Sequence, residues 1–201
     1  MKWKTIEKAL LMGLVLTAAV TFSGFAGVCE ALPEEVLRLH VLANSDSQED
    51  QALKLQVRDR ILEESASLMD GVSDKKDALR AAEKAIPALE EAARDEIREQ
   101  GYSYPVSIAV EKVYFPTREY GDTTLPAGKY DALRVVIGSG EGQNWWCVLF
   151  PALCLPAAED TPELGEVLTP GEMDAVQGGQ KYEVRFKLWE AYEWIRENWF
   201  S

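Results

Sequence analysis

Apolar and polar positions follow a different rule in each part of this chain. From Ala9 to Val28 the apolar run is nearly unbroken, interrupted by Thr17, Thr21, Ser23 and glycines, and it follows Lys2, Lys4 and Lys8. A basic start and an apolar stretch make the pattern of a secretory signal. The run also approaches the roughly 20 residues of a bilayer-spanning helix. Small residues at Gly24-Phe25-Ala26 and at Cys29-Glu30-Ala31 offer two cleavage points. Residues 1–31 therefore read as a signal peptide or, uncleaved, as a membrane anchor held by residues 9–28. Residues 32–201 read as one extracytoplasmic domain.

Beyond the signal the period becomes informative. Leu37, Leu39 and Val41 alternate with Arg38, His40 and Leu42, which predicts a half-buried strand. Asn44-Ser45-Asp46-Ser47 supplies a turn and several N-caps. Leu53, Val57 and Ile61 then share a helical stripe, with Gly71 as the C-terminal cap. Ser73 is placed to cap a second helix, whose stripe is Leu79, Ala82, Ile86, Leu89, Ala93 and Ile97. Pro87 predicts a kink or break within it, and Gly101 an end.

From Tyr104 the period returns to two. Val106, Ile108 and Val110 alternate, and Val113 and Phe115 continue after a one-residue slip, the mark of a bulge. Two more strands, Ala132 to Ile137 and Trp145 to Phe150, are joined by the glycine-rich Gly138 to Asn144, which reads as a hairpin loop. Pro156 to Gln180 reads as an exposed excursion. Val184, Leu188, Ala191, Ile195 and Trp199 share one face of a last helix. This order predicts an α+β fold: an antiparallel sheet of about three to four strands, with two long helices after the first strand and a C-terminal helix.

Charge narrows the function classes. The formal net charge is −13, against which nucleic-acid phosphates would be repelled. With 47% hydrophobic residues the chain has a core and is not generally disordered. Export makes a disulfide chemically reasonable. Cys29 lies at the edge of the signal, leaving Cys147 and Cys154 with Pro151 between them to reverse the chain. Closing that loop is worth about 2.5 kcal/mol in the chain-entropy model. Two buried thiols serving as small hydrophobes is the alternative.

Catalytic signatures are scarce. His40 is the one histidine, and no HExxH, paired CxxC, Walker or G-x-S-x-G motif occurs, so no metal or cofactor is implied. Gly138, Gly140 and Gly142 lead into a strand, whereas a phosphate loop needs a helix N-terminus. An enzymatic alternative pairs Cys147 as nucleophile with His40 as base, oriented by Asp46. Yet Cys147 sits in Trp-Trp-Cys-Val-Leu-Phe, with little to stabilise a thiolate. The residues suited to contacting a partner are Asn44 and Asp46 in the turn, Arg118 and Tyr120 in a loop behind Pro116, and Trp145 and Trp146. A wall-binding domain stacking sugars on the tryptophans is a further alternative.

Two blocks carry a family resemblance. HVLANSDSQEDQALKLQVRDRIL, from His40 to Leu62, and YFPTREYGDTTLPAGKYDALRVVIGSGEGQNWWCVLFPALC, from Tyr114 to Cys154, together resemble the stage II sporulation protein R family. The resemblance implies a secreted, non-catalytic forespore signal acting in the space between forespore and mother cell. Its implied partner is a membrane-embedded aspartic protease, the sigma-E processing peptidase, which matures pro-sigma-E. Contact with membrane would be transient and made through the N-terminal segment.

Overall fold

The computed structural model describes residues 2–153, 164–177 and 183–199. In chain order the elements are α1 (Lys2–Glu35), β1 (Leu37–Leu42), α2 (Gln48–Met69), α3 (Lys75–Glu99), β2 (Val106–Phe115), β3 (Arg118–Tyr120), β4 (Thr123–Leu125), β5 (Gly128–Ile137), β6 (Asn144–Phe150), α4 (Leu164–Val167), α5 (Pro170–Gln177) and α6 (Glu183–Trp199). The class is α+β with a four-stranded sheet, as the periodicities predict. The described residues gather into two compact units. One comprises Pro33–Phe115 and the described part of Lys129–Pro170. The other comprises α1 as far as Leu32, Pro116–Gly128, and the described residues from Gly171 onward.

The first unit is built on a sheet of order β2-β5-β1-β6. β1 runs parallel to β5, with Leu37 beside Asp131 and Leu42 beside Val136. It runs antiparallel to β6, with Val41 beside Trp145 and Leu39 beside Cys147. The sheet is thus mixed, and β5 and β6 do not pair as the expected hairpin, because β1 lies between them. A central strand has both faces covered, so all six residues of β1 are buried, including Arg38 and His40, which the alternation placed on a half-exposed face.

α2 and α3 cover the face that carries Leu37, Leu39 and Val41. Leu53, Val57 and Ile61 of α2 are buried, as are Ala82, Leu89, Ala93 and Ile97 of α3. Lys75, at the first position of α3, is buried and reaches Asp131 of β5 at 2.7 Å and the carbonyl of Pro33 at 2.6 Å. On the opposite face the Arg38 guanidinium lies 4.0 Å from the Phe115 ring centroid and 4.8 Å from that of Tyr130. Its planar cation is stabilised there by two ring faces.

Local chemistry sets the boundaries. Ser47 caps α2 by accepting from the Asp50 amide at 3.1 Å. α2 ends before Gly71, whose φ of +71° a side chain would disfavour. Asp74, not Ser73, caps α3, accepting from the Asp77 amide at 2.8 Å. α3 continues through Pro87 as one helix, so the predicted break does not occur. Burial along β2 alternates from Val106 to Val110 and slips at Glu111–Lys112, where the bulge is expected.

In the second unit, β3 and β4 form a two-stranded hairpin around Gly121, φ +57°, in a stretch the sequence reading leaves as a loop. Its core joins Phe25 and Cys29 of α1 to Ala127, Ala175, Phe186 and Trp189. The Trp189 indole N–H donates to the Ala127 carbonyl at 2.8 Å, and the Phe25 and Phe186 rings meet edge to face at 5.1 Å. α6 therefore buries Phe186 and Trp189, while Val184, Leu188 and Ile195, the predicted stripe, are exposed. The side chain of Trp199 lies outside the described residues, as do 154–163 and 178–180 of the expected excursion. The remainder of that excursion forms α4 and α5 rather than loop.

Because β1 leaves the sheet between β5 and β6, the connection from Ile137 to Asn144 passes over the outgoing chain at Ala43–Ser45. A Cβ on Gly142 would lie 2.2 Å from the Ser45 carbonyl oxygen, a contact with backbone that cannot move aside cheaply. Gly142→Ala is expected to lower the unfolding free energy by about 1–3 kcal/mol, as overpacking does. Urea unfolding followed by tryptophan fluorescence checks this, and unchanged stability would contradict the crossing.

Candidate functional site

The crossing is also where polar groups concentrate. Asn44 holds the glycine loop from both ends of its residue. Its side-chain oxygen accepts from the Ser139 amide at 3.0 Å, and its carbonyl accepts from the Ser139 hydroxyl at 2.7 Å and the Glu141 amide at 3.3 Å. The Ala43 carbonyl accepts from the Gly142 amide at 3.0 Å, and Asp46 Oδ1 accepts from the Gln143 amide at 2.7 Å. Gly138, φ +61°, leaves room for the Asn44 amide, which any Cβ there would strike. The amides of Ser139, Glu141, Gly142 and Gln143 are thus satisfied by the turn, while those of Gly138 and Gly140 donate to the Pro105 and Ile137 carbonyls.

Beneath this layer, Asp50 anchors the turn to α2. Its Oδ2 accepts from Asn44 Nδ2 at 2.8 Å and from the Ser45 hydroxyl at 2.5 Å. Hydrogen bonds from Ser45, then Asn44, hold the Asp50 carboxyl below its ordinary range, with Tyr104 and Ser47 adding to the effect. Gln51 Nε2 donates to the Ser45 carbonyl at 2.8 Å. The buried Lys54 ammonium donates to Gln51 Oε1 at 2.6 Å and to the Gln143 carbonyl at 2.9 Å. Burial lowers the Lys54 pKa, and Asp46 partly opposes that. The result is a fixed polar surface with Asp46, Ser139, Glu141, Gln143 and Asn144 exposed.

The predicted partner residues divide among several environments. Asn44 and Asp46 belong to the crossing, where both also have structural bonds. Trp145 and Trp146 are half-buried, on opposite faces of β6. Trp145 lies under the Arg58 guanidinium at 4.2 Å, and Trp146 stacks on His40 with ring centroids 6.0 Å apart. Split in this way, the pair makes no coplanar platform for a sugar. Arg118, exposed, and Tyr120, half-buried, stand on β3 in the other compact unit.

The Cys147–His40 dyad is not assembled. Trp146 is the residue beside His40, while Cys147 sits beside Leu39 and faces the other side of the sheet. His40 Nε2 is 2.6 Å from Asn144 Oδ1, and burial lowers the His40 pKa, which favours the neutral ring. Cys147 is in a disulfide, and Cys29 is a free, buried thiol. Cys154, the expected partner of Cys147, lies outside the described residues. Among the described residues no group of His, Cys, Asp or Glu is arranged to hold a metal ion.

Sequence reasoning missed Ser45, Asp50, Gln51, Lys54 and Ser139. One signal was available: Ser47 three residues before Asp50 is the spacing of a capped helix start, which fixes the Asp50 side chain near the turn. The bonds to residues 139–143 depend on strand order, which no local pattern carries.

The Asp50 shift has a definite sign. A carboxyl with a lowered folded pKa adds stability at and above its ordinary value of about 4, and that stability is lost as pH falls through the lowered value. Asp50→Asn should lower stability at neutral pH and flatten the loss on acidification between about pH 5 and pH 2. Urea midpoints of both proteins across that range check this; parallel pH profiles would contradict it.

Comparison with known proteins bears on the same segment. Residues 33–160 match the family model described as stage II sporulation protein R. Stage II sporulation protein R of Bacillus subtilis (strain 168) is 37% identical over 123 residues, covering 61% of this chain and 55% of that protein. The chain thus spans little more than half the length of that relative. No solved structure matches. Carried by a match that takes in both the Asn44 turn and the glycine loop crossing it, the chain belongs to the stage II sporulation protein R family.

Proposed function

We propose that the chain is an exported, non-catalytic sporulation signal. It is recognised in the space between forespore and mother cell by the membrane-embedded aspartic protease that matures pro-sigma-E. The observation that carries this reading is the crossing of the Asn44 turn by the glycine loop, within the family-matched residues. It presents Asp46, Ser139, Glu141 and Gln143 on a backbone already fixed by internal hydrogen bonds. A surface ordered before binding loses little conformational entropy on docking. Family membership supports the sporulation role, and α1 is long and apolar enough to serve as a signal or an anchor.

Action would be allosteric. A partner that binds the active form of the protease more tightly than the inactive form shifts its population. Taking a receptor from mostly off to mostly on requires about 5.5 kcal/mol of differential affinity, within reach of a modest interface with a few strong contacts. The hydrolase alternative is disfavoured by the opposite facing of His40 and Cys147, and the sugar-stacking alternative by the split of Trp145 and Trp146.

Deleting the gene should leave pro-sigma-E unprocessed while the protease is still present; normal processing, with no paralogue, would contradict the proposal. Charge reversal at Glu141, which is exposed and bonds through its backbone, should cut processing on the order of tenfold with the unfolding midpoint unchanged. Arg118→Ala tests the β3 hairpin in the same assay. Full processing in both variants would remove these surfaces from the receptor contact.

A further inference from the structure

α6 carries two apolar stripes, and the structure buries one of them. Phe186 and Trp189 enter the core with Phe25 and Cys29 of α1, and Glu193 is buried on the same side and paired with Arg196 at 2.7 Å. At about 100° per residue, Val184, Leu188 and Ile195 fall on the opposite side, and Tyr192, whose ring also meets that of Trp189, borders them. All four are exposed, Val184 at 71% and Leu188 at 54%, with Trp194 beside them at 60%. A contiguous apolar stripe of this kind marks a surface that something covers.

α1, in the same compact unit, indicates what covers it. Its exposed apolar residues run from Ile6 to Val20, and packing begins at Phe22 and Phe25, where α6 meets it. Beyond the charged Glu7 and Lys8, the apolar run from Ala9 to Val28 rises about 28 Å, close to the roughly 30 Å hydrocarbon thickness of a bilayer. A membrane spanned by that stretch ends at the level where α6 packs. Tyrosine and tryptophan favour that level, and long basic side chains reach from it to headgroups. Tyr192 and Trp194 border the exposed stripe, one on each side.

The geometry points to α6 as a membrane-interface helix: its outer stripe lies at the headgroup–acyl boundary of the bilayer that an uncleaved α1 spans. This rests on reading α1 as a retained anchor. It also follows from the core itself. Cleavage after Ala26 would remove Phe25, and cleavage after Ala31 would remove Cys29 as well, uncovering Phe186 and Trp189. Both helices lie almost wholly outside the family-matched residues 33–160, so the inference concerns this chain's own ends.

The test uses the full chain in vesicles of phosphatidylethanolamine and phosphatidylglycerol, with no other protein. Cys29 is replaced by alanine, and an environment-sensitive dye is attached to a single new cysteine at Leu14, Leu188 or Ile195. Dyes at all three positions should be quenched by nitroxide lipids, be blue-shifted, and lose their access to aqueous iodide. Lipid quenching at Leu14 with open iodide access at Leu188 and Ile195 overturns the α6 inference and leaves the anchor standing. Iodide access at all three positions overturns both. Shielding of α6 that disappears on dilution of protein into lipid assigns the stripe to a second copy and also overturns it. A measurement without cysteine substitution is quenching of intrinsic fluorescence by brominated lipids, part of which Trp194→Phe should abolish; no change would count against the inference.

Discussion

A parallel strand lodged between two strands that follow each other in the chain forces the link between those two to step over it. β1 occupies that position between β5 and β6, and the link from Ile137 to Asn144 crosses the chain as it leaves β1. Two backbones cannot pass so closely if each carries side chains, which accounts for Gly138 and Gly142 opposite Asn44 and Ser45. Nor can their amides remain unpaired, which accounts for a turn made of short polar residues. The turn then starts α2 through Ser47 and Asp50, so one polar cluster ties the sheet end, the loop and the helix together.

Much of the chain announces itself by period. α2, α3, the four strands of the larger sheet and the glycine caps at Gly71 and Gly101 follow from residue spacing, because a helix or strand buries one face and the pattern records which. Strand order is different in kind. A short glycine-bearing link between two apolar runs is the ordinary hairpin pattern, and nothing local reveals a third strand between them. The same ignorance hid the burial of Arg38 and His40, whose polar character reads as a solvent face until β2, β5 and β6 are in place. On α6 the visible stripe was legible, but which stripe packs was not, since Phe186 and Trp189 offer an equally apolar alternative.

The candidate site shows the same division. The Asn44–Asp46 turn was legible as a place of interest, but its side chains also hold the crossing, so a variant there would mix the proposed recognition with stability. Glu141 separates the two better, because its backbone serves the crossing and its side chain does not. The tryptophan pair illustrates a simple limit: neighbours on a strand face opposite sides, and no binding platform can use both.

The most direct test of the account is reconstitution. Purified chain, the membrane-embedded protease and pro-sigma-E are combined in vesicles, each omitted in turn, and cleavage is followed by gel. The account predicts cleavage when all three are present, strong loss when this chain is left out, and none by this chain acting on pro-sigma-E alone. Cleavage at full rate without it, or turnover by the pure chain dependent on one of its own side chains, would contradict the account.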